Sequence, residues 1–229
     1  MGELKVKEKE IVVPGEILAV GMDFLPAGGT FREDDNIIAS QIGVVNLNGR
    51  LIKIIPLSGK YIPRRDDVVI GKVVDLWLNG WKVDIGWAYD ANLSLKDASE
   101  DFIEKKSDLT QYFSYGDIVL TRISEVNGSK IIDVAMKGPG LRKLIGGRII
   151  TIVPSKVPRV IGKQGSMINL IKELTDCKIF VGQNGRVWVN GLDPKKELIA
   201  VEAIRKIDEE SSSEGLTDSI KLFIEGRLK

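Results

Sequence analysis

Val160-Ile161-Gly162-Lys163-Gln164-Gly165-Ser166-Met167-Ile168 is the stretch whose reading decides the fold. Two glycines three residues apart let the backbone turn tightly, and the missing Cβ lets a phosphodiester approach closely. Downstream, Met167, Ile168, Ile171 and Leu174 recur at helical spacing, so the pattern predicts a helix over 165–175 that opens at the second glycine. Free N–H groups at such a helix start point toward an anion, and Lys163 adds positive charge at the tip of the turn. Upstream, 157–161 reads as a short helix and 147–153 as a strand. Further on, 177–181 and 186–189 read as strands joined by Gly182-Gln183-Asn184-Gly185. Asp193 or Pro194 opens a last helix, with Leu198, Val201, Ala203, Ile204 and Ile207 on its buried side. Proline is well placed in a first helical turn. The order is β-α-α-β-β-α, an α+β layer.

This order, with its apolar runs on both sides of the turn, resembles a type I KH domain. The GxxG loop of such domains clamps the backbone of about four nucleotides. The resemblance implies single-stranded RNA as the ligand. Gly162, Lys163, Gln164, Gly165 and Ser166 then form the clamp, with Arg159 and Lys156 flanking it. For the glycine pair alone, a tight turn between two core helices is the competing reading. Ile161, Ile168 and Ile171 read as core, while Ile179, Phe180 and Val181 contain candidates for a base-facing wall.

Charge is unevenly placed. The chain as a whole is +1. Residues 141–206 carry 13 basic and 5 acidic side chains, net +8, whereas 61–140 carry 10 and 13, net −3. No carboxylate falls between Asp133 and Glu173, a stretch that holds Arg142, Lys143, Arg148, Lys156, Arg159 and Lys163. Such a block raises the local concentration of a polyanion. A solvated basic face is the alternative that charge alone leaves open.

Residues 61–138 read as a second, β-rich domain. A long strand over 68–77 turns at Asn79-Gly80 into 81–87, where Trp81, Val83, Ile85 and Trp87 alternate with polar residues. A third strand covers 89–95. After a polar insertion over 96–114, strands at 117–126 and 130–136 are joined by Asn127-Gly128. Five strands with one insertion after the third fit an OB-type barrel. The runs 67–75, 81–86 and 116–120 resemble an S1 domain, an OB barrel of RNA-binding proteins. OB barrels hold single strands on aromatic faces and basic grooves. Lys82, Trp77, Trp87, Tyr89, Lys105, Lys106 and Arg122 are candidates for that role. Trp81 reads as core, and Lys105-Lys106 is open to a reading as a solvated loop.

Residues 1–60 show short strands and turns without a helical period, so a small all-β domain is expected, with a hairpin at Asn48-Gly49. The whole is multidomain: a small β domain over 1–60, an S1-type OB-fold over 61–138 and a KH domain over 139–229. The chain has no histidine and one cysteine, Cys177. That removes His-based catalysis, His metal ligands and internal disulfides. Asp34-Asp35 and Asp66-Asp67 sit on turns that aspartate favours for its own reasons, so no metal and no cofactor are expected. No stretch approaches the roughly 18 apolar residues of a membrane span, and the N-terminus lacks the apolar core of a signal peptide. A cytoplasmic location without membrane contact is the default expectation.

With Pro14-Gly15-Glu16, Gly29-Thr30, Ala39-Ser40, Gly43 and Tyr61-Ile62-Pro63 in the first domain, the domain order resembles the S1/KH cap subunits of the archaeal RNA exosome. The turn Gly28-Gly29-Thr30-Phe31 lacks the histidine often seen there. The resemblance covers nearly the whole chain. It implies a non-catalytic cap, three copies of which sit on a hexameric ring of phosphorolytic RNase subunits. It also implies that the first domain docks to the ring and that RNA 3′ ends are guided inward for degradation and processing. Gly182, Asn184 and Gly185 match a GxNG turn of such caps, which implies a fold or interdomain element. A transcription elongation or antitermination factor also combines S1 and KH modules and is the alternative. Such factors usually carry two KH domains, and only one GxxG between two helical segments occurs here. Polynucleotide phosphorylases carry the modules in the opposite order, after catalytic domains absent here.

Overall fold

A computed structural model of the chain describes residues 2–101, 103, 108–211 and 215–228. Two compact units emerge, Met1–Gly59 and Lys60–Lys229.

The first unit pairs eight short strands into two four-stranded sheets. They are β1 (Glu3–Leu4), β2 (Ile11–Val12), β3 (Ile17–Val20), β4 (Leu25–Pro26), β5 (Thr30–Glu33), β6 (Asn36–Ala39), β7 (Gly43–Asn48) and β8 (Leu51–Pro56). The sheet orders are β1-β3-β6-β5 and β2-β7-β8-β4. Leu18, Ile37, Val45 and Ile52 are fully buried between them. The β7–β8 hairpin closes through Gly49 and Arg50, one residue later than the sequence suggests. Gly49 alone takes a positive φ, where a type II′ turn puts its glycine. Strands β1, β4 and β5 are not evident from sequence. None is longer than four residues, and none carries an apolar alternation strong enough to read.

The second unit begins with a closed five-stranded barrel: β9 (Val68–Trp77), β10 (Gly80–Asp84), β11 (Ala91–Ser94), β12 (Ile118–Val126) and β13 (Ile132–Ala135). β9 pairs with β10 and β12, β10 with β11, and β11 runs parallel to β13, which pairs with β12 to close the cylinder. Trp81, Val83 and Ile85 point inward and are fully buried. The Trp81 indole donates to the Phe113 carbonyl at 2.8 Å and meets the Phe113 ring edge to face, at 5.3 Å and 89°. The insertion after β11 is therefore partly structural. Its short helix α1 (Leu95–Ala98) buries Ala98, and Ile103 and Phe113 join the barrel core. A sixth strand, β14 (Arg142–Leu144), lies in the stretch first read with the third domain and pairs with β12 of the barrel.

The α+β layer follows: β15 (Arg148–Thr151), α2 (Val157–Ile161), α3 (Ser166–Thr175), β16 (Lys178–Val181), β17 (Arg186–Asn190) and α4 (Pro194–Glu209). Its antiparallel sheet has the order β15-β17-β16, the arrangement of a type I KH domain. Asp193 caps α4, accepting from the Lys195 N–H at 2.8 Å, and Pro194 occupies the first turn. The buried face of α4 carries Ala200, Ala203, Ile204 and Ile207, while Leu198, read from sequence as core, is 48% exposed. A further helix, α5 (Leu216–Leu228), packs on α3 and α4 through the fully buried Ile220 and Ile224.

The sheet has two apolar faces. Ile179, Val187 and Val189 face the helices. Phe180 and Trp188, stacked at 5.7 Å, face the barrel and pack with Ile70, Leu120 and Leu144. This second face joins barrel and layer into one body.

Candidate nucleic-acid interface

The turn between α2 and α3 takes its shape from the backbone at Gly162, Gln164 and Gly165. Gly162 ends α2 at φ 77°, ψ 171°, its N–H donating to the Pro158 carbonyl at 2.9 Å. A Cβ at that position would lie 2.6 Å from the Met167 nitrogen, so only glycine fits. Gln164 is left-handed at φ 54°, and Gly165 at φ 82° caps α3 with no side chain bonded to the helix start. The first turn of α3 therefore presents N–H groups without a side-chain cap, the arrangement that binds anions. Lys163, Gln164 and Ser166 are exposed. Among the described residues, Lys163 makes no ion pair.

Folding narrows the basic block. Lys143 pairs with Asp117 and Arg148 with Glu197 at 2.6 Å. Arg142 lies over the Phe180 ring at 5.5 Å. The Lys156 ammonium donates to the Asp208 carbonyl and lies 3.7 Å from its carboxylate, so this candidate is engaged by the end of α4. The acids missing from the local sequence arrive from the barrel and from α4. Near the turn, Lys163 and Arg159 are exposed.

On the barrel, the candidates divide. Lys82 projects outward from β10, donates to Asn92 Oδ1 at 2.6 Å and sits 5.2 Å over the Trp77 ring. Trp77 is 48% exposed and Tyr89 61%. An open cleft of about 400 Å³ lies here, lined by Lys82, Tyr89, Asp90, Asn92, Lys130 and Ile131. Sequence reasoning missed Asn92 and Lys130. The cross-strand register that sets Asn92 opposite Lys82 is the signal that finds Asn92, and it follows from the period-two alternation. Trp87 is half-buried against the barrel core. Arg122 donates to the Lys137 carbonyl at 3.0 Å, which ties it to the linker. Lys105 and Lys106 lie outside the described residues.

The Gly182–Gly185 turn is far from idle. Asn184 is buried; its amide donates to the carbonyls of Ile70 and Ile85, each at 2.8 Å, and its oxygen accepts from the Ile70 N–H at 3.2 Å. Gln183 N–H donates to the Val68 carbonyl at 2.8 Å. Gly182 comes so close that a Cβ would lie 2.8 Å from the Ile70 nitrogen. Beside them, Arg186 donates to the Asp84 carbonyl and to its carboxylate, both at 2.7 Å. Burial opposes ionisation of Asp84, but the Arg186 guanidinium and the Gly86 N–H outweigh it and hold the carboxyl below its ordinary range. These contacts also explain why β10 stops at Asp84 rather than running to Trp87: the carbonyls of Asp84 and Ile85 are taken by Arg186 and Asn184.

A family profile for the KH domain matches residues 148–206. Relatives called exosome complex component Rrp4 match along the chain. One from Thermococcus kodakarensis is 47% identical over 232 residues, covering 100% of this chain and 90% of its own length. One from Methanothermus fervidus is 48% identical over 221 residues, covering 96% and 97%. A crystal structure of a candidate exosome complex RNA-binding protein superposes with a TM-score of 0.68 at 36% identity, covering 74% of this chain and 98% of that one.

Proposed function

The chain belongs to the Rrp4 family of exosome complex components, and from that premise we propose that it is a non-catalytic, RNA-binding cap. It captures single-stranded RNA and guides 3′ ends to a hexameric phosphorolytic 3′-5′ exoribonuclease ring made of other chains. The observation that carries this reading is the Gly162–Gly165 turn: an uncapped start of α3, Gly162 where a Cβ would collide, Gly165 at a positive φ, and Lys163 exposed at the tip.

In this reading Gly162, Lys163, Gln164, Gly165 and Ser166 hold phosphates, and Arg159 supports them. The barrel adds a second contact through Lys82 and Trp77, where a base stacks on the exposed indole face. The first unit docks to the ring. Ile11, Val44 and Ile55 stand opposite one another on β2, β7 and β8, and Ile11 and Ile55 are each more than half exposed, an apolar row open to a partner. Three copies around one ring turn a modest affinity per site into strong retention.

Co-purification from the source cell with mass spectrometry tests the assembly. Recovery of phosphorolytic RNase subunits is expected. Recovery of RNA polymerase without them would replace this reading with a transcription factor.

A further inference from the structure

The β15 edge of the α+β layer is open. β15 pairs with β17 along one side. The Ile152 N–H donates to the Gly185 carbonyl at 2.8 Å, and bonds in an antiparallel ladder alternate along a strand. Arg148 and Ile150 therefore bond toward β17, while the main-chain groups of Ile149 and Thr151 point outward. The next outward N–H, that of Val153, is taken by the Asp208 carboxylate of α4 at 3.2 Å. Ile149 and Thr151 are exposed and have no such partner among the described residues. Sheets usually blunt an edge like this with proline, lysine or a bulge, and none of these falls between Ile149 and Thr151.

α4 runs beside the edge. The Arg148–Glu197 pair holds its first turn and the Val153–Asp208 contact its last. The lengths agree, since the strand from 148 to 153 and the helix from 197 to 208 each advance about 16 Å. Glu197 and Asp208 face β15, while Glu202 and Lys206 face Arg227 and Phe223 of α5. The helical period leaves Leu198 and Arg205 on the exposed stripe between those two sides. Arg205 makes no ion pair among the described residues. Arg148 bonds Glu197 through Nε, and its side chain is still 58% exposed. Leu192, 98% exposed, stands beside the same pair, because the Gly191 N–H donates to Glu197 at 3.1 Å.

We propose that β15 and α4 form a docking site for an extended acidic peptide of a partner protein, which adds a strand to β15. The N–H and C=O groups of Ile149 and Thr151 bond its main chain, Leu198 and Leu192 receive its apolar residues, and Arg148 and Arg205 meet its carboxylates. Charge selects this occupant. Both cations belong to the stretch 141–206, which is +8 overall. A second copy of the chain fits poorly, because antiparallel pairing of two β15 edges sets the Arg148 end of one against the Arg205 end of the other, like charge against like. The site binds protein and is independent of the RNA reading.

The test selects binders to the full chain from a phage-displayed library of random peptides about twelve residues long, enough to span the edge. Fluorescein-labelled synthetic copies of the selected peptides are then titrated by anisotropy. The selected sequences are expected to alternate apolar residues with aspartate or glutamate. Arg205→Glu should weaken them about tenfold or more, and exchanging their acids for lysine should restore binding to that variant. Thr151→Pro deletes one outward N–H at an edge position where proline is tolerated and should cost about fivefold. Leu198→Asp, at an exposed residue, should weaken binding with the fold intact by circular dichroism, so the proposal stays testable if Thr151→Pro misfolds. Selection of no peptides, or of basic ones, would overturn the proposal. So would unchanged affinity in Arg205→Glu and Leu198→Asp, or displacement of the peptides by a short single-stranded RNA. A wild-type dimer in sedimentation that Arg205→Glu or Thr151→Pro dissolves would give the edge to a second copy and overturn it as well.

Discussion

Asn184→Ala removes the side chain that stitches the KH layer to the barrel, and the structure sets the size of the loss. Three hydrogen bonds disappear, and the Ile70 N–H, the Ile70 carbonyl and the Ile85 carbonyl lose that partner. Ile70 and Ile85 are both fully buried. A buried polar group left without its partner costs about 1–3 kcal/mol. Arg186 Nη1, 3.5 Å from the Ile70 carbonyl, recovers part of one contact. A loss of about 2–4 kcal/mol is therefore expected. Urea unfolding followed by tryptophan fluorescence measures it cleanly, since all four tryptophans, Trp77, Trp81, Trp87 and Trp188, lie in the Lys60–Lys229 unit. With a slope of about 2–3 kcal/mol/M, the midpoint should fall by about 1 M. Gln183→Ala, at an exposed residue that contacts the barrel through its backbone, should stay within about 0.5 kcal/mol of wild type. A shift below about 0.5 kcal/mol for Asn184→Ala would refute the claim that this amide joins the two domains.

Other outcomes follow from the same geometry. Gly162→Ala forces a Cβ to within 2.6 Å of the Met167 nitrogen at a positive φ; it should cost about 1–3 kcal/mol in thermal or urea unfolding and weaken RNA binding in an anisotropy titration. Lys82→Ala should weaken single-stranded RNA about two- to fivefold and flatten the logarithmic salt dependence by roughly one unit. Asp84 titrates below its ordinary value of 3.8 in the folded chain. A depressed acid stabilises the fold above its unfolded pKa, and that contribution is lost as pH falls through the lowered value. The stability gap between wild type and Asp84→Asn should thus hold from about pH 7 to pH 5 and shrink below about pH 4, measured by urea midpoints across pH.

Local patterns made much of the architecture legible. The alternation through Trp81, Val83 and Ile85 placed β10 and its inward face, and the apolar spacing of Met167, Ile168 and Ile171 placed α3. What stayed hidden depends on contacts between residues distant in sequence. β10 ends at Asp84 because Arg186 and Asn184, about a hundred positions later, take the next carbonyls. The basic block looked broad because Asp117, Glu197 and Asp208, the acids that neutralise it, come from other elements. Arg122 looked available because nothing local shows that the Lys137 carbonyl folds back onto it. β14 carries too few residues for a period and is set by its pairing with β12. At the GxxG turn the backbone shape follows from local sequence, because it is set by the conformations of Gly162, Gln164 and Gly165 within four residues.

RNA affinity of the double variant Lys163→Asp/Gln164→Asp tests the central claim most directly. Both side chains are exposed, so the fold should be unchanged by far-UV circular dichroism. Two carboxylates at the tip of the turn should repel phosphate and lower the affinity for a short single-stranded RNA about tenfold or more, most steeply at low salt. A folded double variant that binds that RNA as tightly as wild type would contradict the account.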